Sequence, residues 1–127
     1  MKRNNTVRPL SDGDKALLLL LPQLTRLLGQ EAFRNARAKG FYRKEPSVGD
    51  RCALTHGEVS EVLEAFRDGN PKDSKCPQFS AMEVEYADVL LRIADACHRY
   101  KFDLGGAILA KLAYNKTRPK KHGGKKI

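Results

Sequence analysis

Four carboxylates invite a chemical reading first. Glu58 and Glu61 stand three residues apart, and Glu85 and Asp88 repeat that spacing on the next stretch of chain. On a helix, three residues separate two side chains by about 60° around the axis and one turn along it. If the two stretches are helices packed antiparallel, all four carboxylates converge on one gap. Like charges held that close do not all stay ionised unless a cation lies among them. An all-oxygen ligand set selects a hard ion, Mg²⁺ with Mn²⁺ as a substitute, over zinc. One E-x-x-E alone says little, because helix surfaces are full of them. The informative feature is the pair of motifs on consecutive helices.

The elements that must position these residues are helical throughout. Ser11-Asp12-Gly13-Asp14 opens a leucine-rich helix, and Pro22 begins a second that runs to Lys39, where Gly40 stops it. Residues 41–51 read as a loop broken by Pro46, Ser47 and Gly49, followed by a helix from Arg51 to Asp68. Asp68 to Pro77 is a second loop. Helices from Ser80 to Tyr100 and from Leu104 to Asn115 complete the chain, which shows no strand-like alternation. The expected fold is all-α, a four- to five-helix bundle in one domain, with a helical core over 24–118 and basic tails at 1–10 and 119–127.

On the third helix, Val59, Val62, Leu63 and Phe66 share one arc and read as its core face, with Glu58 and Glu61 at the boundary and Glu64 in solvent. The fourth helix is apolar around most of its circumference. Its charges, Glu85, Asp88, Arg92, Asp95 and Arg99, fall in one stripe roughly 80° wide. A thin solvent-facing strip with Asp88–Arg92 and Arg92–Asp95 pairs accounts for the last three of these. It leaves unexplained why Glu85 and Asp88 match the spacing of Glu58 and Glu61.

Bulk properties narrow the classes. The chain has 127 residues, enough for one domain with a core, and its apolar run at Ala16–Leu21 is too short to cross a membrane. No secretory signal is expected. Three widely spaced cysteines without a C-x-x-C argue against a disulfide framework or a structural zinc, and fit a reducing cytoplasm. The net charge of +9 resides at the ends: residues 1–9 and 111–127 hold ten of the 24 basic residues and no acid, which leaves the body at −1. Two solvated tails or a nucleic-acid contact both fit this distribution.

The motifs and their surroundings resemble the MazG-like all-α nucleoside triphosphate pyrophosphohydrolases. The residues that carry the likeness are HGEVSEVLEAFRDG around Glu58 and Glu61, EYADVLLRIADACHRY around Glu85 and Asp88, KLAYNKTRP at 111–119 and NARAKGFY at 35–42. It spans about residues 24 to 124. One departure is Gly57, where many members carry a further glutamate. The resemblance implies cleavage of an NTP or dNTP to the monophosphate and pyrophosphate, with Glu58, Glu61, Glu85 and Asp88 holding Mg²⁺ and Glu61 accepting the proton of the attacking water. Lys111, Asn115, Lys116 and Arg118 would bind phosphate; without the likeness they read as cations at a helix C-terminus. Asn35 and Lys39 would touch phosphate or ribose. Phe41 and Tyr42 are stacking candidates or core, and His56 is a further candidate or a surface residue. A homodimer or homotetramer is expected, with the Ala16–Leu28 leucines as its apolar surface or, in a monomer, as core. The alternative is a non-catalytic helical protein that binds nucleotide, or nucleic acid through its basic C-terminal tail.

Overall fold

The computed structural model describes residues 8–119; most of both basic tails lies outside them. Five helices follow in order: α1 (Asp12–Leu18), α2 (Leu21–Ala38), α3 (Val48–Arg67), α4 (Ala81–Arg99) and α5 (Leu104–Thr117). No strand occurs among the described residues, where Lys72 and Ser80 form an isolated bridge. The fold is all-α, as the sequence predicts.

Local chemistry starts and stops the helices. Ser11 with Asp14, Ser47 with Asp50 and Ser80 with Glu83 form reciprocal capping boxes at α1, α3 and α4. The Asp103 side chain caps α5 by accepting from Gly106 N–H. Pro22 lies in the first turn of α2, where its missing N–H costs nothing. The third helix begins at Val48, three residues before the expected Arg51. Ser47 is the cap that begins it, and Gly49 lies inside its first turn.

The α4 helix is central. The α2 and α3 helices pack on it, and α5 packs on α2. Two glycines permit the closest approaches. A Cβ on Gly29 of α2 would stand 2.5 Å from the Ala94 carbonyl oxygen of α4, and one on Gly105 of α5 would stand 2.4 Å from the backbone of Leu21. The α3–α4 connection is ordered by Asp73, whose Oδ1 accepts from Lys75 and Cys76 N–H, and by Asn70 Oδ1, which accepts from Met82 N–H. This short connection brings α4 back antiparallel to α3.

The expected core face of α3 is corrected by the structure. Val62 and Ala65 are buried, but Val59, Leu63 and Phe66 are 52%, 48% and 64% exposed. The face turned to α4 carries Arg51, Glu58, Val62 and Ala65, which share one arc at about 100° per residue. The packed face of α3 is therefore partly charged, and an apolar stripe is left outside.

Candidate metal centre and its cavity

Antiparallel packing turns the charged stripe of α4 toward α3, burying Asp95 and leaving Arg99 exposed. Arg51 Nη1 donates to Asp95 Oδ2 at 2.8 Å, and Arg92 Nε donates to Glu58 Oε1 at 2.8 Å, with Arg92 Nη2 also 2.8 Å from that oxygen. Arg99 Nε donates to Glu45 Oε1 at 2.8 Å. The expected pairs of Arg92 with Asp88 and Asp95 are thus replaced by pairs between elements. Asp95 is 7% exposed, so the stripe is no solvent strip.

At one end of this seam three carboxylates meet, and only one of them, Glu58, is paired with a base, Arg92. Glu58, Glu61 and Glu85 each offer an oxygen within 4.8 Å of the others, a spacing that one divalent cation spans. Glu85 Oε2 is shut off from solvent and has no hydrogen-bond partner among the described residues. Burial and the neighbouring carboxylates of Glu61, Asp88 and Glu58 push the Glu85 pKa up. Asp88 lies outside the triplet but senses it. Its pKa rises through burial and the Glu58 charge, against the opposing pull of Lys75 and Arg92. Glu58, Glu61 and Glu85 could hold a hard cation, with the unpartnered Glu85 oxygen as one ligand; Asp95 Oδ1 and Arg51 Nε of the neighbouring ion pair are unpartnered in the same way. Gly57 has open space beside it, so no clash explains the absence of a further glutamate there.

A cavity of about 440 Å³ lies beside the seam. Glu58, Asp88 and Arg92 line it from one side, Asn35 and Lys39 from α2, and Leu28, Leu54 and Leu91 give it apolar walls. Asn35 and Lys39 therefore line the same cavity as Glu58 and Asp88. Lys111, Asn115, Lys116 and Arg118 are not among its lining residues: they are exposed on α5 or just past its end. Lys111 Nζ instead lies 5.0 Å above the Tyr114 ring. His56 is exposed, and its carbonyl accepts from Ser60 Oγ.

Sequence reasoning missed the pin that closes the cavity floor. Arg51 is buried, with its guanidinium 5.2 Å from the Tyr42 ring and 5.6 Å from the Tyr100 ring. It donates to Glu45 and Asp95, and Tyr42 Oη also donates to Asp95. Burial works against the Arg51 charge, but these bonds outweigh it and raise its pKa. The Tyr42 ring stacks on Phe33 at 5.4 Å. Breaking one side of such a buried pair costs about 3–5 kcal/mol, so the pin fixes the 39–47 segment to α3 and α4. Arg51 is seven residues before Glu58, two turns along one helix face, and that spacing is the signal that marks it.

Fold and site define an all-α protein with an acidic seam between two antiparallel helices. Compared with protein-family models, curated proteins and solved structures, the chain matches none. Among the described residues no helix is long and apolar enough to cross a membrane.

Proposed function

We propose that the chain is an Mg²⁺-dependent nucleoside triphosphate pyrophosphohydrolase that converts an NTP or dNTP to the monophosphate and pyrophosphate. One observation carries the reading: Glu58 and Glu61 of E-x-x-E meet Glu85 of E-x-x-D across an antiparallel seam, around a buried Glu85 oxygen that has no partner among the described residues. The choice of a triphosphate substrate rests on the motif resemblance and on the cavity with Asn35 and Lys39 on its far wall.

Glu58, Glu61 and Glu85 would hold the ion, with Asp88 beside them; Mn²⁺ would substitute. When bound, the ion neutralises phosphate charge and lowers the cost of forming the nucleophile from water. Glu61 is the exposed member of the triplet, whereas Glu58 and Glu85 are half-buried. It is the carboxylate with access to water, and its oxygen takes the proton as the water oxygen bonds to the α-phosphorus. The α–β bridging P–O bond breaks, and pyrophosphate leaves with the electron pair. Lys39 and Arg92 border the cavity where that charge grows.

The protomer's exposed leucines support a homo-oligomer, in which Lys111, Asn115, Lys116 and Arg118 would face a neighbouring site. Incubation with Mg²⁺ and a panel of NTPs and dNTPs tests the activity by pyrophosphate release. Glu61→Gln and Asp88→Asn are each expected to lower the rate at least about a hundredfold. No turnover of any nucleotide by the folded protein would overturn the reading, and salt-sensitive nucleic-acid binding that survives both substitutions would favour the non-catalytic alternative.

A further inference from the structure

We infer that Arg92 is a stand-in cation: it neutralises Glu58 while no metal is bound, and moves to a phosphate of the bound ligand when a divalent ion takes Glu58. The inference rests on the reading of the seam as a divalent-cation site.

The geometry of the pair is the first argument. Arg92 directs both Nε and Nη2 to the same oxygen, Glu58 Oε1. A guanidinium matched to a carboxylate frequently makes two parallel bonds to two oxygens. Here Nε and Nη2 both lie 2.8 Å from one oxygen, and Nη1 makes no hydrogen bond to any described residue. Competition is the second argument. A hard cation needs a carboxylate oxygen at about 2.1 Å, and it cannot share that oxygen with a guanidinium at hydrogen-bond distance without strong repulsion between the two charges.

Exposure is the third argument. The Arg92 side chain is 39% exposed and that of Glu58 12%, so the base, on its long flexible stem, is the mobile partner. An arginine displaced from Glu58 needs a new anion. Asp95, one turn away on its own helix, accepts from Arg51 and Tyr42 through Oδ2, and its Oδ1, without a partner among the described residues, is buried, so a guanidinium could reach it only by leaving water. Asp88 lies within the field of Arg92, but it belongs to the carboxylate group that the incoming ion would occupy. The course that keeps Arg92 in water is the cavity it lines, which Lys39, Asn35 and the Glu31 carboxylate line as well. A phosphate placed there meets donors from both walls.

Two titrations decide the matter on the full chain. The first follows Mn²⁺ alone by the loss of the free-ion electron paramagnetic resonance signal. Arg92→Gln is expected to bind Mn²⁺ about fivefold more tightly than the unsubstituted protein, the size of one nearby like charge removed from a partly solvated site. The second follows inorganic pyrophosphate by calorimetry at saturating Mn²⁺, where Arg92→Gln is expected to weaken binding about tenfold. Arg92→Lys keeps the charge without the fork, so it should hold the unsubstituted Mn²⁺ affinity while losing part of the pyrophosphate affinity; it also serves if the glutamine variant fails to fold. Equal or weaker Mn²⁺ binding in Arg92→Gln would show that Arg92 merely orients Glu58, and would overturn the inference while leaving the metal centre standing. Absence of Mn²⁺ binding to the unsubstituted protein would overturn both.

Discussion

Glu85 and Asp88 give the seam a pH dependence whose sign follows from their surroundings. Burial and neighbouring carboxylates raise both above their ordinary values of 4.5 and 3.8. The native state then binds more protons than the unfolded chain between each ordinary value and the raised one. Their contribution to stability is complete below the ordinary value and is lost as pH rises through the raised one. A divalent ion requires both groups deprotonated. The rise in Tm produced by Mg²⁺ over EDTA is therefore expected to grow as pH climbs from the ordinary glutamate value of 4.5, measured by differential scanning fluorimetry. A gap that stays constant with pH would contradict the assignment. The four carboxylates were legible in the sequence because a three-residue spacing is a local pattern. The Tyr42–Arg51–Asp95 pin was not, because its members come from a loop and two helices and meet only after α3 and α4 pack.

Helix ends were mostly legible, because caps are local chemistry. The exception was α3, where Pro46, Ser47 and Gly49 read as breakers although Ser47 and Asp50 form the same box as Ser80 and Glu83. At their other ends α2, α3 and α4 share one arrangement. The Phe41, Asn70 and Phe102 N–H groups donate back to Ala36, Ala65 and Cys97, and the residue before each has left-handed backbone. Two of those residues are Gly40 and Gly69, and the third is Lys101 at φ 57°. A lysine there bears a steric cost that glycine avoids. Lys101→Gly is expected to raise stability by about 0.5–1 kcal/mol, read as a higher urea midpoint with an unchanged slope. A lower midpoint would mean that the Lys101 side chain makes a contact worth more than the backbone cost.

For the whole molecule the telling feature is the apolar surface left exposed. Leu17, Leu19, Leu20, Leu24 and Leu27, with Val59, Leu63 and Phe66 of α3, supply apolar surface that no described helix covers. Periodicity shows that a face is apolar but not whose core it joins, and for that reason the stripe on α3 reads from sequence as internal. In the homo-oligomer proposed above, a second copy of the chain would cover this surface. Light scattering is expected to return a multiple of the 14.2 kDa protomer mass, reduced by Leu20→Glu combined with Leu24→Glu. A protomer mass at micromolar concentration would refute it.

The order of signs along the α3–α4 seam also fixes the alignment of the two helices. In the native alignment Arg51 meets Asp95 and Glu58 meets Arg92. Sliding α3 by one turn in one direction brings Arg51 toward Arg99 and Glu58 toward Asp95. Sliding it the other way brings Arg51 toward Arg92 and Glu58 toward Asp88. Either slip sets like charge against like in a partly dry interface, where repulsion is strong. The same residues that gather the carboxylates thus act as a key with one cut, barring the neighbouring registers that a plain leucine seam would tolerate.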